Sequence, residues 1–311
     1  MRELVKLFYV TDIHGSDICF RKMFSAIREY RVDVALLLGD LSGKVTIPIQ
    51  KENETYTATV LGVDRVARNA TELAELEKKI ANLGYYSYVA TRQEVEEFRS
   101  NPEKNDELFQ NLIVQRLQQW MQVADEKLRD SKVRMYMGAG NDDPFAVDSV
   151  LDGSDRVTNM NERLVNIEDY EVITTAFSNP TPWNTPRECS EEELGKKIDV
   201  LASKITLMEN AIFNFHVPPY GTLLDVAPEL KDLQPVVGSM INVGSRAVAK
   251  SIEKYQPLMG LHGHIHESKA AQKIGRSLCL NPGSEYGEGV LRGVTVTLEK
   301  GKIKNYIFTS G

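Results

Sequence analysis

The chain has 311 residues, 42% of them hydrophobic and 26% charged, which is enough apolar content to bury a substantial core. Its formal net charge of -7 at pH 7 gives no general pull toward phosphate backbones and so disfavours bulk nucleic-acid binding. Three cysteines, Cys19, Cys189 and Cys279, lie far apart in no CxxC spacing, so a disulfide framework is excluded and a cytoplasmic setting is expected.

Apolar strand-like runs alternate with helical patterns along the chain. From Met1-Arg2-Glu3-Leu4 the sequence enters a strand pattern directly, and no apolar run approaches the roughly 20 residues of a membrane span. Leu4–Val10, Val34–Leu38 and residues 133–137, 172–177, 211–215 and 258–261 are predicted as short buried strands. Residues 44–132 are more than a connection requires and are predicted as an insertion within a single domain of residues 1–311. Within it, residues 45–49 and 55–60 form a polar-tipped hairpin, with Pro48 marking an edge position. Val66, Ala70, Leu73, Leu76, Ile80 and Leu83 then make one helical stripe, ended by Gly84. After a capping box from Thr91 to Glu94, Phe109, Ile113, Leu117, Trp120 and Leu128 recur at helical spacing. These stripes are assigned to packing, and the segment to a helical cap near the active edge of the sheet.

Beyond the insertion, a proline-rich polar loop at 178–186 has two readings, the lining of a cleft or a rigid connection. A capping box from Ser190 to Glu193 opens a helix whose Leu194, Ile198, Leu201, Ile205 and Met208 face the core. Residues 290–298 and 303–308 alternate about a turn, which predicts an antiparallel hairpin.

The five histidines fall at three places: His14, His216, and the group His262, His264 and His266. With Asp12, Asp40 and Asn141, most of these stand just past a strand-like run, and the C-terminal ends of strands are where layered α/β folds gather their sites. Carboxylate, amide and imidazole together suit two divalent transition ions such as Mn, Fe or Zn, whereas an all-oxygen set would favour Mg or Ca. Asp12 taken alone reads better as a helix cap. His264 and His266, two apart, point opposite ways on a regular strand, so joint ligation requires a turn, which Gly263 permits. His262 is read as a core histidine.

In this order, Asp12-x-His14, Gly39-Asp40, Gly140-Asn141, His216 and Gly263-His264-x-His266 resemble the signature of the calcineurin-like metallophosphoesterases. The chain looks most like those phosphoesterases related to the cyclic-nucleotide phosphodiesterase branch. The resemblance covers both ends of the chain and leaves out the inserted segment. It implies an α/β fold, a four-layer α-β-β-α metallophosphoesterase sandwich with a helical insertion. It also implies a dinuclear site in which Asp12, His14 and His266 bind one metal, Asn141, His216 and His264 the other, and Asp40 bridges them. The implied activity is hydrolysis of a small phosphoester, more a diester than a monoester, by a hydroxide bridging the two ions. Asp40, Asn141, Asp142 and His14 are the catalytic candidates. A catalytically weak metal-binding scaffold and a nuclease stand as alternatives, although no basic, aromatic-lined groove is evident for the latter.

Many family members continue the Gly-Asn motif with His, whereas this chain continues with Asp142-Asp143-Pro144. An ordinary Asp titrates near ~3.9, so Asp142 is a doubtful general acid. Three routes stay open: a pKa raised beside Asp143, a proton from His14 or a metal-bound water, or a leaving group that needs little protonation. Tyr220, in the stiff run after His216, and Arg246, at the start of a helix reaching Tyr255, are the candidate substrate-binding residues. Free amides at that helix start would help to bind a phosphate; a capped surface helix is the plain alternative.

Overall fold

A computed structural model describes residues 4–311; Met1 to Glu3, at the expected start of the strand pattern, lie outside the described residues. In chain order the first half comprises β1 (Leu4–Val10), α1 (Asp17–Tyr30), β2 (Val34–Leu38), β3 (Thr46–Glu52), β4 (Thr55–Val60), β5 (Val63–Ala67), α2 (Ala70–Asn82) and β6 (Tyr86–Ala90). Then come α3 (Arg92–Ser100), α4 (Pro102–Leu128), β7 (Arg134–Gly138), α5 (Ala146–Asp152), β8 (Val157–Asn159), β9 (Leu164–Ile167), β10 (Tyr170–Thr175) and α6 (Glu191–Ala202). The remainder is β11 (Ile212–Phe215), β12 (Val226–Lys231), β13 (Gln234–Asn242), α7 (Arg246–Tyr255), β14 (Met259–Leu261), β15 (Ala270–Ile274), β16 (Ser277–Asn281), β17 (Arg292–Glu299) and β18 (Lys302–Ser310).

Two six-stranded sheets, ordered β18-β17-β1-β2-β7-β8 and β15-β16-β14-β11-β10-β9, face each other. The alternation along β1 explains why its run is apolar throughout: Val5, Leu7 and Tyr9 enter the core between the sheets, while Phe8 and Val10 enter the core under the helices. β2 divides in the same way, with Val34, Leu36 and Leu38 against Ala35 and Leu37. Outside the first sheet lie α1, α4 and α5, and outside the second α6 and α7. This is the expected α-β-β-α sandwich. β1, β2 and β7 run parallel, as do β10, β11 and β14, so within each sheet their C-terminal ends share an edge.

Several local expectations change. The segment at 44–132 holds a four-stranded sheet, β5-β4-β3-β6, where only a hairpin was predicted, and α2 covers it through Leu76 and Ile80. Val66 belongs to β5 and is exposed, so the helical stripe begins after it; Asn69 caps α2 and sets that start. β3 is an interior strand of the four-stranded sheet, but Pro48 itself pairs only with Tyr88 of β6, so its own position is the edge expected. It is tolerated because β4 pairs only with Gln50 to Glu52, which leaves no ladder partner on that side of Pro48. α4 is buried in the first core through Ile113, Leu117, Trp120 and Leu128, with Trp120 stacked on Phe20 at 4.4 Å. α6 ends at Ala202, so Ile205 and Met208 pack on the third core from outside the helix. Among the described residues, no helix is long and apolar enough to cross a membrane.

Candidate metal centre

Each candidate ligand follows a strand end by one to five residues, in a backbone that is locally irregular. Asp12 (φ 54°), His14 (φ 40°), Asp40 (φ 43°) and His264 (φ 66°) all occupy the left-handed region. For residues other than glycine this costs of order 1–3 kcal/mol each and persists only where the surroundings over-determine it, as at functional sites. The glycines beside them make room. A Cβ at Gly140 would collide with Asp40 Oδ1 and its amide nitrogen, one at Gly39 with the His216 ring, and one at Gly263 with Asp12 Oδ2. The turn expected at Gly263 is present: Ile265 N donates to Gly263 O at 2.7 Å.

These turns bring the side chains together. Asp12, His14 and His266 offer ligand atoms within 4.8 Å of one another, as do Asp40, His216 and His264, and His14, Asp40 and Asp142. His14 Nε2 is 3.0 Å from His266 Nε2 and 3.6 Å from Asp40 Oδ2, and His266 Nε2 is 3.5 Å from Asp12 Oδ1. His216 Nε2 lies 3.3 Å from Asp40 Oδ2 and 3.7 Å from Asp12 Oδ1, yet it is aligned with neither for a hydrogen bond. Asn141 Nδ2 donates to Thr185 Oγ1 at 2.8 Å and to Asp142 Oδ1 at 3.1 Å, while its buried Oδ1 has no partner. An unpaired buried acceptor costs about 1–3 kcal/mol, and a cation at that point would remove the cost. The donor set thus fits divalent metal.

Asp12 is no helix cap: both its oxygens accept from His264 N, at 3.1 and 3.0 Å, and so tie the two sheet edges together. His262 is a core residue beneath the site, with Nδ1 2.8 Å from Phe215 O, and burial pushes its pKa down to about 4. Burial likewise lowers His14 to about 3 and His264 to about 4, so both rings are neutral at pH 7. At His216 burial acts downward but the Asp40 and Asp12 carboxylates outweigh it, raising the ring to about 9. Those same pairings hold Asp12 and Asp40 below the usual carboxylate range against the upward push of burial.

The His216 shift carries a sign for metal uptake. The His216 ring is raised to about 9, compared with about 6.5 for an ordinary histidine, so a cation held by that ring would have to displace a proton at neutral pH. Divalent-metal affinity is therefore expected to rise with pH across that window and then level off, with proton release at pH 7. Calorimetry in two buffers of different ionisation heat measures the release; identical heats would contradict it.

Asp142 N donates to Asp40 Oδ1 at 3.0 Å, and burial followed by the Asp40 charge raises the Asp142 carboxyl to about 7. The main charged neighbour raising it is therefore Asp40, not Asp143 as expected. Asp143 has a different part: fully buried, it accepts from Leu41 N, Ser42 N, Ser42 Oγ and Gly140 N at 2.5–2.9 Å, clamping the β2 and β7 loops together. Arg187, also buried, donates Nε to Asp143 O at 2.8 Å, and its amide donates to Asn141 O at 3.1 Å. Through Arg187 and Thr185, the proline-rich loop supports Asn141 directly.

Of the two readings of the α7 start, the capped helix is the one present, and its first amides are not free. Glu191 already accepts from Arg246 N, Ala247 N and Ser245 Oγ at 2.7–2.9 Å, so its carboxylate fills the anion position. The Arg246 guanidinium lies 3.8 Å from the centre of the Tyr220 ring, and Tyr220 N donates to Ser245 O. The contacts of both residues run to each other and to this helix start, not to the Asp–His cluster.

Sequence reading missed Lys44 and Tyr286. The Lys44 ammonium pairs with Asp142 Oδ2, and the Tyr286 ring lies 4.7 Å from His14 and 5.8 Å from His266, centre to centre. Neither stands in a recognisable spacing.

No family model matches the chain. Over 126 residues it is 34% identical to an uncharacterized protein of Methanocaldococcus jannaschii; the stretch is 40% of this chain and 53% of that protein, about half its length. One crystal structure is 16% identical with a TM-score of 0.57, covering 99% of this chain and 98% of its own. A protein of Thermus thermophilus is 12% identical with a TM-score of 0.54, over 99% and 98% of the two chains. At these identities the likeness is one of fold. What the chain shares with them is an arrangement of two mixed sheets between helices, and in this chain Asp and His side chains gather at the joined strand ends.

Proposed function

We propose that the protein is a metal-dependent phosphoesterase acting on a small phosphoester, with a preference for diesters. Two observations carry this reading: Asp12, His14 and His266, and likewise Asp40, His216 and His264, bring ligand atoms within 4.8 Å of one another, and the buried Oδ1 of Asn141 has no partner. Asp12, His14 and His266 would hold one divalent ion, Asn141, His216 and His264 a second, with Asp40 shared. When bound, such ions supply Lewis-acid polarisation of phosphoryl oxygens and lower the pKa of water toward ~7.

The chain's own part is to hold donors rigidly and to keep them dry. Asp12, His14, Asp40, Asn141 and His216 are all at most 2% exposed, and left-handed turns leave Asp12, His14 and Asp40 little freedom. Asp142 accepts from Asn141 at one oxygen and pairs with Lys44 at the other, contacts that suit a carboxylate. With its carboxyl raised to about 7 by burial and the Asp40 charge, Asp142 is only partly protonated at neutral pH, which favours leaving groups that need little protonation, as in aryl diesters.

Hydrolysis of a bis-aryl phosphate by Mn-supplied protein is the test. Turnover should exceed that of an alkyl monoester by roughly tenfold or more, a barrier difference of about 1.4 kcal/mol. Equal rates would argue against the diester preference, and metal uptake without turnover of either ester would favour a binding scaffold.

A further inference from the structure

Asp12, Asp40 and Asp142 are gathered at one edge, and Asp142, the most exposed of the three, opposes an anion at the mouth of the site, where a basic side chain would offset it. Of the basic side chains whose contacts bring them to these loops, Arg116 donates to Gly15 O at 2.8 Å, and Arg187 to Asp143 O at 2.8 Å and Pro144 O at 3.1 Å. Both are committed to backbone carbonyls. Lys44 differs. Its side chain is 52% exposed, its ammonium is paired with Asp142, and Asp142 in turn sits against Asp40 through its own amide.

The base of Lys44 is fixed, and its side chain taken as a whole is half exposed. Gly43 N donates to the Tyr86 hydroxyl at 2.9 Å, and a Cβ at Gly43 would collide with Gly84 O, so the loop is wedged between β2 and the inserted sheet. Burial works against its charge, but Asp142 and Asp40 outweigh it and raise the Lys44 pKa, so the ammonium stays charged through neutral pH.

Resting on the phosphoesterase reading above, we propose that Lys44 receives the phosphoryl oxygens of the substrate at the mouth of the site, with Asp142 as its internal competitor while no phosphate is bound. A phosphate oxygen replaces or shares the carboxylate partner, and a monoanion or dianion is accepted there where a neutral ligand is not. The assignment makes two substitutions act in opposite directions. Lys44→Met removes the cation; Asp142→Asn removes the competitor and leaves the cation free.

The experiment is calorimetric binding of inorganic phosphate to Mn-supplied protein, with metal content of every variant measured by elemental analysis. Lys44→Met should weaken phosphate roughly tenfold or more, Lys44→Arg should keep most of the affinity, and Asp142→Asn should tighten it several-fold. A merely structural ion pair would make Lys44→Met and Asp142→Asn weaken binding alike, and that result overturns the assignment. Unchanged affinity in Lys44→Met with unchanged metal content overturns it while leaving the metal centre standing. Wild-type protein that takes up no metal and binds no phosphate overturns both, the metal analysis showing that the deeper reading failed first.

Discussion

Asp40→Asn is expected to lower bound divalent metal and cut phosphodiester hydrolysis by about three orders of magnitude, without unfolding the protein. Asp40 takes part in two of the three ligand groups, with Oδ2 3.6 Å from His14 Nε2 and 3.3 Å from His216 Nε2. Asparagine has nearly the same shape and keeps a carbonyl oxygen to accept from Asp142 N, so the β2 turn retains its hydrogen bond. What it loses is the shared negative charge. Lewis-acid stabilisation is worth several kcal/mol of barrier, and each 1.36 kcal/mol is tenfold in rate, so about 4 kcal/mol gives the expected loss. Elemental analysis alongside kinetics checks it. Full metal content with full activity would remove Asp40 from the reading.

Asp143→Ala should produce the largest loss of stability. The substitution orphans three buried backbone amides, Leu41 N, Ser42 N and Gly140 N, together with the Ser42 hydroxyl. At about 1 kcal/mol or more for each orphaned donor the gross cost approaches 4 kcal/mol. Relief of a buried carboxylate, whose pKa is raised by burial and by Asp40, offsets part of it. A net loss of roughly 3 kcal/mol is expected, with a fall in Tm of roughly 5–10 °C in a thermal melt of the metal-free protein. Asp143→Asn, which keeps one acceptor oxygen, should fall between. A melt unchanged within a degree would show that these loops are held otherwise. Gly140→Ala tests the same joint from the other side, since its Cβ collides with Asp40.

The outcome at the helix start of α7 shows the limit of reading one element alone. Ser245 caps Val248 N at 3.2 Å, as a capped helix start should, but the acceptor that fills the remaining amides, Glu191, comes from a helix more than fifty residues earlier. Pro48 is a similar case. Its ring restricts where hydrogen bonds can form, and an interior strand meets that restriction because the neighbouring strand pairs only farther along. Asp142 differs again: its type suggests an ordinary carboxyl, and its burial, then the Asp40 charge, raises its pKa against the pull of Lys44.

By itself, the sequence determined the elements whose cause is local. The two-sided apolar runs of β1 and β2, the capping boxes at Thr91 and Ser190, the stripe from Ile113 to Leu128 and the terminal hairpin follow from side-chain period and capping chemistry within a few residues. The order of the Asp, Asn and His motifs was legible for the same reason, because each stands at the end of a readable strand. Tertiary structure alone decided that the two strand edges meet, through Asp12 and the His264 amide 252 residues apart, and that Asp143 and Arg187 hold the loops in place. It also decided that Lys44 faces Asp142 and that Glu191 caps α7. Such contacts depend on the distances and orientations of chain segments brought together by burying both faces of the sheets, and no period or spacing in a linear sequence encodes them.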